Sequence, residues 1–426
     1  LVIYTVRRGD SVYSIASKYG VSTQTVIDDN RIENPQQLVV GQALVIMTDS
    51  VSHTVAPGES LYTIAQSYQT TVQQLQAANP GITDPARILA GQTITIPVTT
   101  QKLGTIDVNG YALPGISSDI LSETLPYLTY ISIFSYQVKA DGSMTPPDDS
   151  AILQAALGEH AAPMMVITNS VEGQGFNSDI AHAILTNTQA SDTLLDNIVS
   201  VLQQNNYFGL NIDFEYIYPQ DRENYNNFLR KVVGRLRPLG YIITTSLAPK
   251  TSAGQQGLLY EAHDYPVHGT LADHVILMTY EWGYTYGPAR AVAPLNLVEQ
   301  VIRYAVSVIP SEKILMGIPN YGYDWTLPFV QGSAARTLTN LGAVNLAASV
   351  GAQIQFDPVA QSPFFQYYDS NGRRHEVWFE DARSIEAKLR LVDRYQLGGV
   401  SYWTINSFFP QNWLVLESLF LIRKVR

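Results

Sequence analysis

From Gln101 onward, eight short apolar runs recur with amphipathic stretches between them, over 105–113, 129–137, 163–169, 209–216, 242–248, 274–280, 314–321 and 399–405. Runs of this length, rich in β-branched and aromatic residues, read as strands. Their alternation with helical periodicity, clearest over 193–204, 223–236, 297–308 and 382–395, points to a parallel sheet, because parallel neighbours need a crossover connection. Eight such units predict an α/β fold, a closed (β/α)₈ TIM barrel. An open doubly wound sheet is the alternative, but no G-x-G-x-x-G turn follows the first strand. Residues 101–426 exceed the ~250 usual for this barrel, so an insertion is expected. Residues 324–378, with Phe364-Phe365, Tyr367-Tyr368 and the turn pair Asn371-Gly372, read as a small α+β subdomain between the seventh and eighth strands.

The first 97 residues contain one unit twice. Thr5-Val6, Gly9, Ser11, Tyr13, Ile15-Ala16, Tyr19 and Asn30 return 49 positions later as Thr54-Val55, Gly58, Ser60, Tyr62, Ile64-Ala65, Tyr68 and Asn79. Past a one-residue insertion the offset is 50, and Pro35, Gly41-Gln42 and Ile46 return as Pro85, Gly91-Gln92 and Ile96. Each unit, over 1–48 and 51–97, predicts a strand, a Ser-capped helix, a second short helix and a closing strand, in β-α-α-β order. Ile15, Ile64, Tyr19 and Tyr68 are assigned to the core. Two copies are too few for a stacked solenoid, so both are expected to be modules separable from the barrel.

Composition narrows the partner. With 26 Lys and Arg against 37 Asp and Glu, the net charge of −11 gives no pull on phosphate backbones, and nucleic acid is not expected. Charged residues are only 15% of the chain while 26 are Tyr, a balance that favours neutral, stackable ligands such as carbohydrate. The absence of Cys excludes disulfides, thiolate metal sites and cysteine nucleophiles. No apolar run approaches the ~18 residues of a membrane span, so no membrane partner is expected. Domain sequence already begins at Tyr4 and leaves no room for a signal peptide, implying earlier removal or another export route.

The chemistry concentrates in Gly209-Leu210-Asn211-Ile212-Asp213-Phe214-Glu215-Tyr216. In a strand, Asn211, Asp213 and Glu215 share one face and Ile212 and Phe214 the other, so an amide and two carboxylates point into the barrel. Burying them costs several kcal/mol unless hydrogen bonds compensate, and at a C-terminal strand end such a cluster indicates catalysis. A divalent-cation site is the competing reading, but no His pair at ligand spacing joins it, and neither metal nor cofactor is expected. No G-x-S-x-G elbow supports a serine nucleophile. Because Asp213 and Glu215 lie two residues apart on one strand, a rise of roughly 6.5–7 Å, they do not flank a scissile bond as two-carboxylate retaining enzymes require.

The repeated pattern T-V-x-x-G-[DE]-S-[VL]-Y-x-I-A, followed by an Asn-Pro pair and a G-Q-x-[LI]-x-I close, resembles the LysM module, which implies binding of N-acetylglucosamine polymers such as peptidoglycan and chitin. The segment from Phe208 to Glu215 resembles the D-x-x-D-x-D-x-E signature of family 18 glycoside hydrolases. Met278-Thr279-Tyr280-Glu281 is similar to that family's M-x-Y-D run, Gly317 to Gly322 to its seventh-strand motif, and Gly398-Gly399 with Trp403 to its eighth-strand tryptophan. The resemblance implies that Glu215 is the general acid and that Asp213 orients and charge-stabilises the substrate acetamido group, which Tyr280 hydrogen-bonds. It also implies that Trp403 floors the sugar site with Met278 close by, while Tyr111, Asn169 and Tyr321 are further candidates for contact with the sugar. Phe208 and Asn211 stand where the family has Asp; Asn211 is expected to donate a hydrogen bond to Asp213 and so favour its ionised form. Glu281 replaces Asp and brings a longer carboxylate toward the sugar.

The implied function is a retaining β-N-acetylglucosaminidase working by substrate-assisted catalysis on peptidoglycan, with the LysM modules as anchors. A chitinase and a non-catalytic wall-binding lectin are the alternatives. Two LysM units joined to this barrel resemble bacterial spore cortex-degrading glucosaminidases, which implies a place in the spore coat and cortex or the cell wall.

Overall fold

The computed structural model describes residues 1–68, 70–98 and 101–425; Arg426, the expected end of the barrel domain, and Gln69 of the second repeat lie outside the described residues. The barrel strands, β1 to β8, are Gly104–Ala112, Tyr130–Val138, Ala162–Thr168, Gly209–Asp213, Ile242–Leu247, His274–Leu277, Ile314–Pro319 and Gly399–Trp403. Each runs parallel to the next, and β8 returns to β1 with Gly399 opposite Asp107, so the sheet is closed. The runs over 209–216 and 274–280 are shorter as strands than expected. The backbone leaves the ladder beyond them, and Tyr216 (φ 53°) and Glu281 (φ 68°) adopt the left-handed region that turns the chain across the barrel mouth.

The alternation read from β4 holds in space. Phe214 is fully buried on the outer face and stacks on Tyr225 and Phe228 of helix Arg222–Leu236, with ring centroids 6.0 and 5.9 Å away. Burial of one such ring contributes about 2 kcal/mol, and three in a stack pin β4 to its helix. Inside, Tyr130, Ala162 and Met164 fill the bottom of the barrel and Tyr111, Val166, Ile276 and Leu315 form a layer above. Asn109 is paired within the barrel: it donates to Ser401 Oγ at 2.9 Å and accepts from Ser132 Oγ at 2.8 Å.

Between β7 and β8 stands an antiparallel five-stranded sheet in the order Arg336–Leu338, Gly322–Leu327, Arg374–Trp378, Ser362–Tyr368 and Gln355–Asp357, with helix Asn340–Val350 against it. Asp324 holds it together, paired with Arg336 at 2.9 Å and His375 at 2.8 Å and accepting from the Tyr367 hydroxyl at 2.7 Å.

The repeats share one internal logic. Strands Val2–Thr5 and Ala43–Ile46 pair in the first, and Ser50–Thr54 and Thr93–Pro97 in the second, each pair enclosing two helices. Ser11 and Ser60 form capping boxes with Ser14 and Thr63. The recurring Asn is explained by its amide: Asn30 donates to the Val26 and Val45 carbonyls and accepts from Val45 N–H, and Asn79 does the same with Leu75 and Thr95. Two expectations are corrected. Tyr68 is 41% exposed and packs edge-on against His53, so unlike Ile15 and Ile64 it is no core residue. Nor does the first repeat stand apart from the barrel: Ala43 and Val45 belong to the barrel's own hydrophobic core, and Gln411 donates to Asn30 Oδ1 at 2.9 Å and to the Ala43 carbonyl at 3.0 Å.

Candidate active site

The mouth of the barrel opens into a cleft of about 1040 Å³, walled on one side by the insertion through Tyr321, Tyr323 and Thr337 to Thr339. Of the residues singled out in the sequence, Tyr111, Asp213, Glu215, Met278, Tyr280, Glu281, Tyr321 and Trp403 line it. Asn169 and Asn211 do not.

Asn169 lies fully buried beneath the floor, where its amide accepts from Glu215 N–H at 2.9 Å and donates to the Glu215 carbonyl at 2.8 Å. It clamps the backbone that carries Glu215 and has no reach to a sugar, which corrects the expectation for it. Asn211 is also fully buried; its Nδ2 donates to Thr244 Oγ1 at 2.8 Å and Ser246 Oγ at 3.2 Å, and its Oδ1 accepts from the Tyr111 hydroxyl at 3.1 Å. Its donors are spent on β5, not on Asp213 as expected. The reason is register: Asn211 sits directly opposite Thr244, one pleat below Asp213.

Asp213 is therefore buried with Oδ1 lacking any hydrogen-bond partner among the described residues. Loss of solvent pushes its carboxyl up to about 7. Glu215 is raised well above the ordinary carboxyl range, first by desolvation and then by the charges of Asp213 and Glu281. Two buried acids this close resist ionising together, so the pair holds a proton to higher pH than an ordinary carboxyl would. The sign for stability follows. A carboxyl raised in the folded state binds protons there that the unfolded chain has released, so stability falls as pH rises between about 4 and 7. Asp213→Asn is expected to raise Tm relative to wild type at pH 8 and to leave it unchanged below about pH 4, measured by scanning fluorimetry.

The rest of the floor is aromatic. Trp403 meets Tyr111 at 5.4 Å and Phe134 at 4.9 Å between ring centroids, both edge to face. The Tyr280 ring lies against β7 at Gly317, where a Cβ would come within 2.8 Å of its Cε1; only glycine lets this ring sit so close to the strand. Glu281 accepts from the hydroxyls of Tyr321 and Tyr323, the latter at 3.0 Å. Its carboxyl is nonetheless raised, since desolvation outweighs the two hydrogen bonds. A non-glycine residue with positive φ costs of order 1 kcal/mol and persists where its surroundings over-determine it, as these tyrosines do for Glu281.

Sequence reasoning missed Tyr323 and Asn320. Asn320 donates from its side chain to the Thr404 and Ser407 carbonyls, both at 2.8 Å, and from its backbone to the Trp403 carbonyl, so it ties the ends of β7 and β8 together beneath Trp403. Asn320 lay inside the quoted seventh-strand motif. Tyr323 had no signal, because its meaning depends on Glu281, 42 residues away in sequence. Among the described residues no three His, Asp or Glu side chains converge as a metal-ligand set.

The glycosyl hydrolases family 18 model matches residues 109–407, and the LysM domain model matches 4–46 and 53–97. The chain is 40% identical to the cortical fragment-lytic enzyme of Bacillus anthracis and 41% identical to that of Bacillus subtilis, over 99% of both chains in each case. The crystal structure of the Bacillus megaterium spore cortex-lytic enzyme SleL superposes with a TM-score of 0.90 at 39% identity, covering 99% of this chain and 98% of that one.

Proposed function

The chain belongs to family 18 of the glycosyl hydrolases and carries two LysM domains, and from that premise we propose that it is a retaining β-N-acetylglucosaminidase of peptidoglycan, acting on spore cortex or its fragments. The observation that carries this reading is the buried, unpartnered Oδ1 of Asp213 beside a Glu215 raised well above its ordinary range, at the floor of an aromatic cleft. An acid still protonated at neutral pH is what a glycosidic oxygen needs in order to leave. An orphaned buried acceptor is what an acetamido N–H can satisfy.

Glu215 protonates the leaving oxygen and later deprotonates water. Asp213 accepts from the acetamido N–H and balances the positive charge that forms as the acetamido oxygen attacks the anomeric carbon and closes an oxazolinium ring. Tyr280 donates to the acetamido oxygen, and the apolar face of the sugar lies on Trp403. Both carboxyls come from one segment at the end of β4, which favours a nucleophile supplied by the substrate over a protein carboxylate on the opposite face. Asn169, Asn211 and Tyr111 act as positioning groups. The relatives' names, which specify cortical fragments and spore cortex, support cortex glycan as substrate and the cortex or wall as the place of action.

Mass spectrometry of products from cortex peptidoglycan, cortex fragments and chitin tests the proposal. Fragments with N-acetylglucosamine at the new reducing end, from the first two substrates, are expected. Products from chitin alone would make the protein a chitinase, and no product from any of them a lectin.

A further inference from the structure

The two repeats are built alike inside and treated differently outside. In the first, the loop between second helix and closing strand is pressed into the catalytic body. Val39 is buried in the core of the insertion with Ala343, Ala347 and Ile354; the Val40 carbonyl accepts from Ile354 N–H at 2.9 Å; and Gln37 donates to the Ala348 carbonyl at 2.9 Å. Gly41 has φ +87° and its missing Cβ would lie 1.8 Å from the Ile354 carbonyl oxygen, while its own carbonyl accepts from Arg383 at 3.1 Å. The helix reached by this loop, Asn340–Val350, starts next to Thr339 in the cleft wall.

The same loop in the second repeat is open. Leu89, the counterpart of Val39, is 73% exposed, and Gly91, the counterpart of Gly41 at φ +84°, has nothing within 4 Å of its absent Cβ. The repeat's few charges pair with one another, Glu59 with His53 at 2.7 Å and Asp84 with Arg87 at 3.3 Å. Exposed Leu89, Tyr62 and Tyr68 remain, among Gln and Asn amides. A neutral surface of amides and apolar faces suits an uncharged sugar polymer rather than an ionic partner.

We propose that the repeats divide their work: the first is a fixed brace of the catalytic body, and the second alone offers the loop over 85–92 to a β-1,4-linked N-acetylglucosamine chain. This rests on the glycan-hydrolase reading above. The geometry permits a clean separation, because Ser50 and Pro97 are strand partners and Val98 N–H donates to the Asp49 carbonyl at 2.8 Å. Ends this close, about 5 Å between Cα atoms, can be joined by a short linker without moving the first repeat.

The test replaces residues 51–96 with Gly-Ser-Gly and measures retention on peptidoglycan sacculi and chitin beside the full chain. Retention is expected to fall about tenfold or more as the anchor's effective concentration is lost, with Tm within about 3 °C of wild type. Undiminished retention overturns the proposal, as does collapse of Tm, which would show the second repeat to be part of the body. In the full chain, Leu89→Asp is expected to lower retention about fivefold with Tm unmoved, and unchanged retention would remove the loop from the contact. Gly41→Ala and Gly91→Ala carry the same backbone penalty, so their difference reads the brace: Gly41→Ala is expected to lower Tm by about 5 °C more, and equal effects overturn that half. A full chain that neither material retains would instead overturn the glycan reading itself.

Discussion

Glu215→Gln is expected to lower kcat on cortex fragments about 10³-fold while leaving the fold and glycan binding in place. The amide is near-isosteric and cannot give a proton to the leaving oxygen. The position itself survives, because Asn169 holds the backbone N–H and carbonyl of residue 215 and not its side chain. The loss should depend on the leaving group. An aryl glycoside whose phenolate departs unaided needs little acid in the first step, so the deficit in kcat/KM on that substrate is expected to shrink to about tenfold, while kcat stays low because Glu215 is still missing as the base for water. A variant retaining about a tenth of wild-type kcat on the natural glycan would take the acid role from Glu215.

Asp213→Asn is expected to cost about 10²-fold or more in kcat, and here the leaving group should make no difference, because the missing charge is the one facing the developing oxazolinium ring. A second consequence separates this from mere structural damage. Asp213's charge helps to raise Glu215, so its removal brings Glu215 back toward its ordinary range and shifts the basic limb of the kcat/KM profile to lower pH. A basic limb that stays put would show that the two groups do not communicate. In the same mechanism a de-N-acetylated glycan should not turn over with any variant; efficient hydrolysis of it would return the nucleophile to the protein.

The eight strands were legible because each is an apolar run between helical periods, and the position of β4's acids because a strand's two faces alternate by residue. What escaped was lateral. Asn211 was read along its own strand, toward Asp213, whereas its donors answer to Thr244 and Ser246 on the neighbouring strand. Asn169 was placed at the end of β3, but that it clamps the Glu215 backbone follows from pairing between β3 and β4 that no local pattern encodes. The same holds for the first repeat. Its internal residues match those of the second so closely that both read as free modules, and what fastens one of them is the surface of helices and an insertion far along the chain.

That distance has a consequence for synthesis. The residues that receive the first repeat, among them Ala347, Ile354 and Gln411, are made about 300 to 380 residues after it, roughly 15–76 s later at 5–20 residues per second. Until then Val39, Ala43 and Val45 face water, and β1 waits likewise for β8. Each repeat carries a closed core of its own, from Tyr4 to Ile46 in the first and from Val55 to Ile96 in the second, but only the second has no residue in the barrel's or the insertion's core. On a growing chain both repeats therefore hold the residues of their own cores early, while the outward face of the first, at Val39, Ala43 and Val45, stays uncovered until the insertion and the last turn of the barrel are made.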